Sequence, residues 1–384
     1  MTALDLAGHI RANRARLDGK GRLAGVDLAR GLAVVGMLAA HLLAIAPWSW
    51  SDPATWAGIA QGRSSVLFAT LAGLSLGLVA GGYRPLRGPA LASLRLHLLA
   101  RAMLLWLIGI VLATLNVPVY VILPAYAILF LVAIPALGLG TRALVMVAAG
   151  TAAAAPLVQA GIDASPWRET NGGYLVAWLT GWHYPFLVWS AFVLGGLVLA
   201  RIRLDQKHSQ IYLLVGGLTG SSVGYMLDAL LVEPRLDGYW ADAMSSAPHS
   251  SGLLEVVGSG GFAVAAIGLC LLLGSVPRIA AISLPLRAVG SMPLTAYTLQ
   301  ILAWALVASV TLEDPGSLND FRSLHPFWPF MLGTLAFCTA WALLIGRGPL
   351  ETALIRLNPG SSQRETTSAS PPPPTRRDEG ETHV

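Results

Sequence analysis

Charge is scarce in this sequence. Only 12% of its 384 residues are Asp, Glu, Lys or Arg, where soluble domains carry roughly 25%. Cysteine is scarcer still: Cys270 and Cys338 both sit inside apolar runs, which suits neither a disulfide framework nor a metal site. There is no Gly-rich phosphate loop, no metal-ligand cluster, no Ser-His-Asp pattern in a suitable context and no internal repeat. The net charge of +5 is spread over short loops, so it is no nucleic-acid signature. Residues 1–22 are polar and basic. They lack the short apolar core and small-residue cleavage site of a signal peptide, and read as a leader that stays on the cytoplasmic side.

Apolar residues are abundant instead, at 55% with a mean hydropathy of +0.63. Two or three soluble domains would be the ordinary expectation for this length. A polytopic helical bundle fits the composition better. A helix crossing about 30 Å of hydrocarbon needs roughly 20 apolar residues. Ten stretches qualify: 24–46, 64–82, 95–115, 119–138, 143–162, 184–201, 209–230, 252–274, 290–311 and 327–346. The fourth is interrupted by Pro124 and Pro135, which membrane helices tolerate better than soluble ones.

Loop charge sets the orientation. Lys and Arg concentrate on the cytoplasmic side of membrane proteins. With the N-terminus inside, the inner loops hold Arg11, Arg14, Arg16, Lys20, Arg22, Arg84, Arg87, Arg95, Arg142, Arg201, Arg203, Lys207, Arg278, Arg287 and Arg347. The outer loops hold Arg63, Arg168, Arg235 and Arg322. The expected protein is therefore all-α, with about ten transmembrane helices and both termini cytoplasmic. Its parts are a leader (1–22), a transmembrane domain (23–357) and a Pro-, Ser- and charge-rich tail (358–384) that cannot bury a core. The outer loops 163–183 and 231–251 are long enough to fold over a vestibule.

The first span, GVDLARGLAVVGMLAAHLLAIAPW, carries Asp27 and Arg30 at its entrance and His41 beyond them. Arg30 and His41 are eleven residues apart, about three turns plus roughly 20°, so they share a helix face with a rise of about 16 Å. With Arg30 at the inner boundary, His41 falls near mid-bilayer, where ionisable residues usually face a bundle interior or a watery cavity. An imidazole there serves as polar glue between helices or as a general base. Asp27 reads as a positioning partner of Arg30.

GVDLARGLAVVGMLAAH followed by QGRSSVLFATLAGLSLGL resembles the opening of the transmembrane acyltransferases of the heparan-alpha-glucosaminide N-acetyltransferase type. Arginine, ten residues, then histidine is also the spacing of the membrane O-acyltransferases that modify bacterial surface sugars. The resemblance continues in HYPFLVWSAFVLGGLVLAR, PHSSGLLEVVGSGG, GSMPLTAYTLQI and RGPLETALIR. It implies a plasma-membrane enzyme, in a bacterium the multi-pass inner membrane. Such an enzyme takes an acetyl or other short acyl group from cytoplasmic acyl-CoA, without a metal, and delivers it to a hydroxyl or amine of an extracytoplasmic sugar or glycolipid. The partners it implies are membrane lipid and that acceptor, with no nucleic acid; a homo-oligomer is compatible with it.

By this resemblance His41 is the catalytic base and Arg30 its structural or coenzyme-facing partner. The heparan-type opening more often holds Asn at the place of His41 and a histidine about eleven residues later, where this chain has WSWSDPATW and no histidine. Glu255 is a further catalytic candidate, a carboxylate within a span. Arg63, His183, Asp228 and His249, at the outer ends of spans, are candidates for the acceptor. Arg84, Arg87, Arg95 and Arg101 are candidates for the phosphates of coenzyme A, because Arg grips phosphate bidentately. Arg101 lies deeper than a topology signal needs. The alternative is a proton-coupled transporter or a lipid or glycolipid flippase with His41 as a relay. No pair of matching broken helices supports it.

Overall fold

The computed structural model describes residues 3–19, 21–46, 51–232 and 235–356; the expected disordered tail lies outside them. Helices dominate the described residues, and no strand occurs among them. The leader is a helix, α1 (Ala3–Leu17). Ten apolar helices follow the ten expected spans: α2 (Ala24–Leu42), α3 (Arg63–Val79), α4 (Gly88–Ala113), α5 (Leu123–Ala136), α6 (Thr141–Asp163), α8 (Phe186–Leu199), α9 (Lys207–Leu227), α11 (Leu253–Gly274), α14 (Pro293–Thr311) and α16 (Phe327–Leu344). Short helices decorate the connections: α7 (Asn171–Thr180), α10 (Gly238–Met244), α12 (Pro277–Ile282), α13 (Leu284–Ser291), α15 (Leu318–Ser323) and α17 (Pro349–Arg356).

Among the described residues eight helices are long and apolar enough to cross a membrane, if the turns 53–60 and 228–232 are counted with α3 and α9. The other two, α5 and α8, have 14 residues each. Proline explains their length. Pro124 stands in the first turn of α5 and Pro135 in its last, so the two prolines bound this helix rather than break it. Pro185 immediately precedes α8. Outward side chains such as Val111, Met146, Leu306 and Val310 are 62–77% exposed, an apolar belt of the kind a bilayer covers.

The first span is shorter than expected. Leu43 leaves the helix in an extended conformation, and α2 stops at Leu42 rather than near residue 46. His41 is therefore not near mid-span. It occupies the last turn, about 26 Å from Ala24 by helical rise, and Arg30 lies about 9 Å in from the start.

Both described ends of the chain meet on one face of the bundle. Arg16 and Arg22 share a cavity lining there with Glu351, Leu354 and Ile355 of α17. This is the terminal face; the opposite one is the distal face. Helix α2 runs between them through the middle, packed against α3, α11 and α13 and touching α14 and α16. Glycine makes this closeness possible. A Cβ on Gly31 would strike the Leu286 carbonyl, one on Gly25 the Cys270 carbonyl, and one on Gly290 the Asp27 carbonyl. The small-residue strings behave alike: Gly217 and Gly224 of α9 sit against Gly261 and Gly258 of α11, and Gly73 of α3 against Val193 of α8.

Candidate functional site

The charged entrance of α2 builds the terminal end of the site. Buried Asp27 accepts hydrogen bonds from Arg22 and, at 3.1 Å, from Arg30. Arg30 also donates to the Gly290 carbonyl (2.6 Å) and to Ser75 Oγ (3.0 Å). One guanidinium thus ties α2 to α13 and α3. It forms part of the wall of a cavity of about 230 Å³, with Ser75, Arg101, Tyr126, Tyr297 and Glu351. That cavity shares Arg30, Arg101, Ser291 and Glu351 with a wider mouth of about 570 Å³ on the terminal face, rimmed by Arg16, Arg22 and Arg347.

Of the four arginines expected to meet phosphates, only Arg101 lines this cavity. Its Nε is buried without a hydrogen-bond partner, and its guanidinium lies over the Phe130 ring, 5.6 Å from the centroid. Arg84 and Arg87 are exposed and do not line it. Arg95 donates to the Pro135 carbonyl (3.3 Å), tying α4 to α5. The sequence reading misses Glu351, although its segment RGPLETALIR carries part of the resemblance. Its carboxylate accepts from Leu294 N (2.8 Å), Thr295 N (3.1 Å) and Thr295 Oγ1 (2.5 Å), capping the start of α14. Tyr126 was missed too. It is 3% exposed, and its hydroxyl has no hydrogen-bond partner.

A layer of tyrosines lies beyond the cavity. Tyr126 stacks obliquely on Phe68, with ring centroids 5.5 Å apart. Tyr297 Oη faces the Ile122 amide, 3.3 Å away. On the other side of that segment Tyr184 donates to the Tyr120 carbonyl (3.5 Å), and the Tyr120 ring stacks on His183 at 3.8 Å. Tyr184 is buried, and its hydroxyl is held well above the usual phenol range, first by burial and then by Tyr297 and Tyr120.

Two histidines meet on the distal face. His183 and His249 have ring centroids 5.3 Å apart, and the His249 ring lies parallel to Trp189 at 6.2 Å. Burial pushes His249 down to about 4, with smaller contributions from His183 and His41, so all three are in electrostatic reach of one another. Near neutral pH His249 is an uncharged base. The last turn of α2 that carries His41 is held by Arg322, which donates to the His41 carbonyl (2.8 Å) and the Ala40 carbonyl (3.4 Å). An arginine at a helix C-terminus satisfies orphan carbonyls and opposes the helix dipole. From the sequence alone Arg322 reads only as a loop charge.

Glu255 is almost fully buried beside this cluster. It accepts from His249 N and Ser251 N, both at 2.7 Å, and from Ser250 Oγ at 3.4 Å. His249 and Ser251 have φ of 63° and 59°, the left-handed region that costs a non-glycine residue about 1–3 kcal/mol. Glu255 fastens that strained turn and so positions His249. Arg63 binds the Tyr225 hydroxyl (2.7 Å), which in turn meets Ser259. Asp228 accepts from Ser246 N (2.9 Å) and ties down the start of the same loop. Both hold the frame of helices and loop around the histidines. Among the described residues no group of His, Cys, Asp or Glu is arranged to hold a metal ion.

Residues 22–218 match the family described as "Heparan-alpha-glucosaminide N-acetyltransferase, catalytic". Residues 199–358 match a second, "Protein of unknown function (DUF418)". No curated protein and no solved structure matches the chain. The cavity draws Arg30, Arg101 and Tyr126 from the first matched region and Tyr297 and Glu351 from the second. The first region covers more than half of the 384 residues, and with its helical membrane architecture the chain belongs to the heparan-alpha-glucosaminide N-acetyltransferase-like family of transmembrane acyltransferases.

Proposed function

We propose that this membrane transferase moves an acetyl or similarly short acyl group from coenzyme A, bound at the terminal face, to a hydroxyl or amine of a sugar or glycolipid at the distal face. The terminal face lies in the cytoplasm in this reading, as the arginine-rich loops suggest. The observation that carries it is the two-ended site: an arginine-rimmed cavity on one face, a histidine cluster on the other, and a tyrosine layer between. The cavity chemistry suits the donor. Arg101 offers a buried, unpartnered N–H to an anion or carbonyl, and Leu105, Leu123 and Phe68 give a pantetheine arm an apolar wall.

His41 is the base. It shares a stripe of α2 with Arg30, about 16 Å further along, and Arg30 faces the donor cavity. His41 takes the proton of the acceptor hydroxyl or amine as that atom attacks the thioester carbonyl. The new C–O or C–N bond forms, the C–S bond breaks, and the coenzyme thiolate leaves towards the terminal face, where it takes up a proton.

General base catalysis by one side chain is typically worth about 10²–10⁴ in rate. His41→Ala should lower acceptor-dependent release of free coenzyme A by at least the lower factor, with acetyl-CoA affinity within about twofold of wild type. If His41→Asn turns over normally and His249→Asn does not, the base is His249. Purified protein that binds no acetyl-CoA at all sinks the acyltransferase reading and returns attention to transport.

A further inference from the structure

Helix α1 is more than a leader. Leu17 is fully buried, and Asn13 donates to the Leu343 carbonyl (2.9 Å). Arg287, itself 1% exposed, donates to the Leu17 carbonyl (2.8 Å) and to Asp18 (2.6 Å). The amino-terminal helix is thus fastened to α16 and α13 at the rim of the terminal mouth. There it presents Arg16, whose Nε and Nη2 are both buried with no hydrogen-bond partner. Arg347, from the far end of the sequence, lines the same mouth, and its guanidinium makes no ion pair among the described residues. Arg22 completes the rim.

The acids nearby are already committed. Asp27 is shared by Arg22 and Arg30, and Glu351 caps α14. The mouth lining holds five arginines (Arg16, Arg22, Arg30, Arg101, Arg347) against two carboxylates (Asp27, Glu351), an excess of three positive charges. Folding has gathered like charges and left donors unanswered, which is costly unless an anion completes the set.

We propose that Arg16, Arg22 and Arg347 form the seat for the phosphates of the coenzyme A moiety, so that α1 is an integral wall of the donor site. This rests on the donor reading above and adds residues that reading does not require. The site recognises clustered phosphates, the diphosphate and the 3′-phosphate together, through planar guanidinium groups. The crowding is visible in Arg16 itself: its guanidinium is held below the usual range by burial and by Arg22 and Arg347, with Asp27 opposing. Bound phosphates would reverse that penalty.

Calorimetric titration of the purified full chain in uncharged-lipid nanodiscs tests this, with coenzyme A, 3′-dephospho-coenzyme A and pantetheine as probes. Arg16→Ala and Arg347→Ala should each weaken coenzyme A binding roughly tenfold to a hundredfold, the range for lost hydrogen bonds to a charged group. Pantetheine affinity should not change, which also shows that the variants are folded. Arg16→Lys should recover only part of the loss. The proposal is overturned if both alanine variants bind coenzyme A like wild type, or if pantetheine weakens in parallel. It is overturned equally if the variants differ from wild type only in nanodiscs of anionic lipid, which would make the rim a lipid-headgroup site. Failure of the wild type to bind coenzyme A would instead strike the donor reading itself.

Discussion

His249 stands in a left-handed backbone conformation because Glu255 accepts its amide hydrogen and that of Ser251. The groups facing its ring are His183, Trp189 and Tyr184, with His41 within electrostatic reach. An imidazole in the unfolded chain protonates near 6.5, whereas His249 resists protonation until about 4. Between those two values the unfolded state holds the extra proton, so acidification weakens the fold. The stabilisation is whole above about 6.5, and at most about 3 kcal/mol is lost on the way down to 4. The melting temperature of wild type should therefore fall more steeply over this interval than that of His249→Gln. Parallel curves would show that the ring does not meet its burial in the folded state.

At the scale of helices, the site depends on how closely α2 and α13 approach. The Gly290 position lies against the Asp27 carbonyl, and the adjacent turn of α2 carries Arg30, whose N–H reaches the Gly290 carbonyl. Gly290→Ala should cost about 1–3 kcal/mol, as overpacking does, and should loosen Arg30 from Ser75. Gly333→Ala in α16, with open space around it, serves as the control and should leave the melting temperature unchanged or slightly higher. Equal melting temperatures for the two variants would mean that the helices separate without penalty. All ten apolar helices were legible in the sequence, because hydropathy and length set a membrane helix almost alone. Their ends were not. Capping decides those, and a four-residue error at the end of α2 moved His41 from mid-span to the distal turn. Which arginines line the mouth was not legible for a related reason. Arg84 and Arg87 lie in the loop between α3 and α4 and Arg95 about two turns into α4, whereas the arginines at the rim of the mouth are residues 16, 22 and 347. Only tertiary packing brings both ends of the chain together.

On the scale of the whole molecule, the two matched regions are halves of one site. Neither encloses the cavity alone, since Arg101 and Tyr126 face Tyr297 and Glu351 across it. The family resemblance was legible because its opening motif is local; the tyrosine layer, built from three separated segments, was not. That layer has an electrical consequence. Among the described residues the Tyr126 hydroxyl has no hydrogen-bond partner, so the hydroxyls of Tyr120, Tyr126, Tyr184 and Tyr297 are not joined in one chain of hydrogen bonds. In the proposed reaction the thiolate stays on the donor side and the acceptor's proton is left on the other. Each acyl group that passes is then equivalent to one positive charge carried outward, and turnover is electrogenic. A full unit charge moving against the membrane potential costs about 2.3 kcal/mol per 100 mV. In proteoliposomes with the terminal face inside, an interior-negative potential should slow release of coenzyme A, and an ionophore that collapses it should restore the rate. A rate indifferent to the potential would mean that a proton returns through the tyrosines with every acyl group.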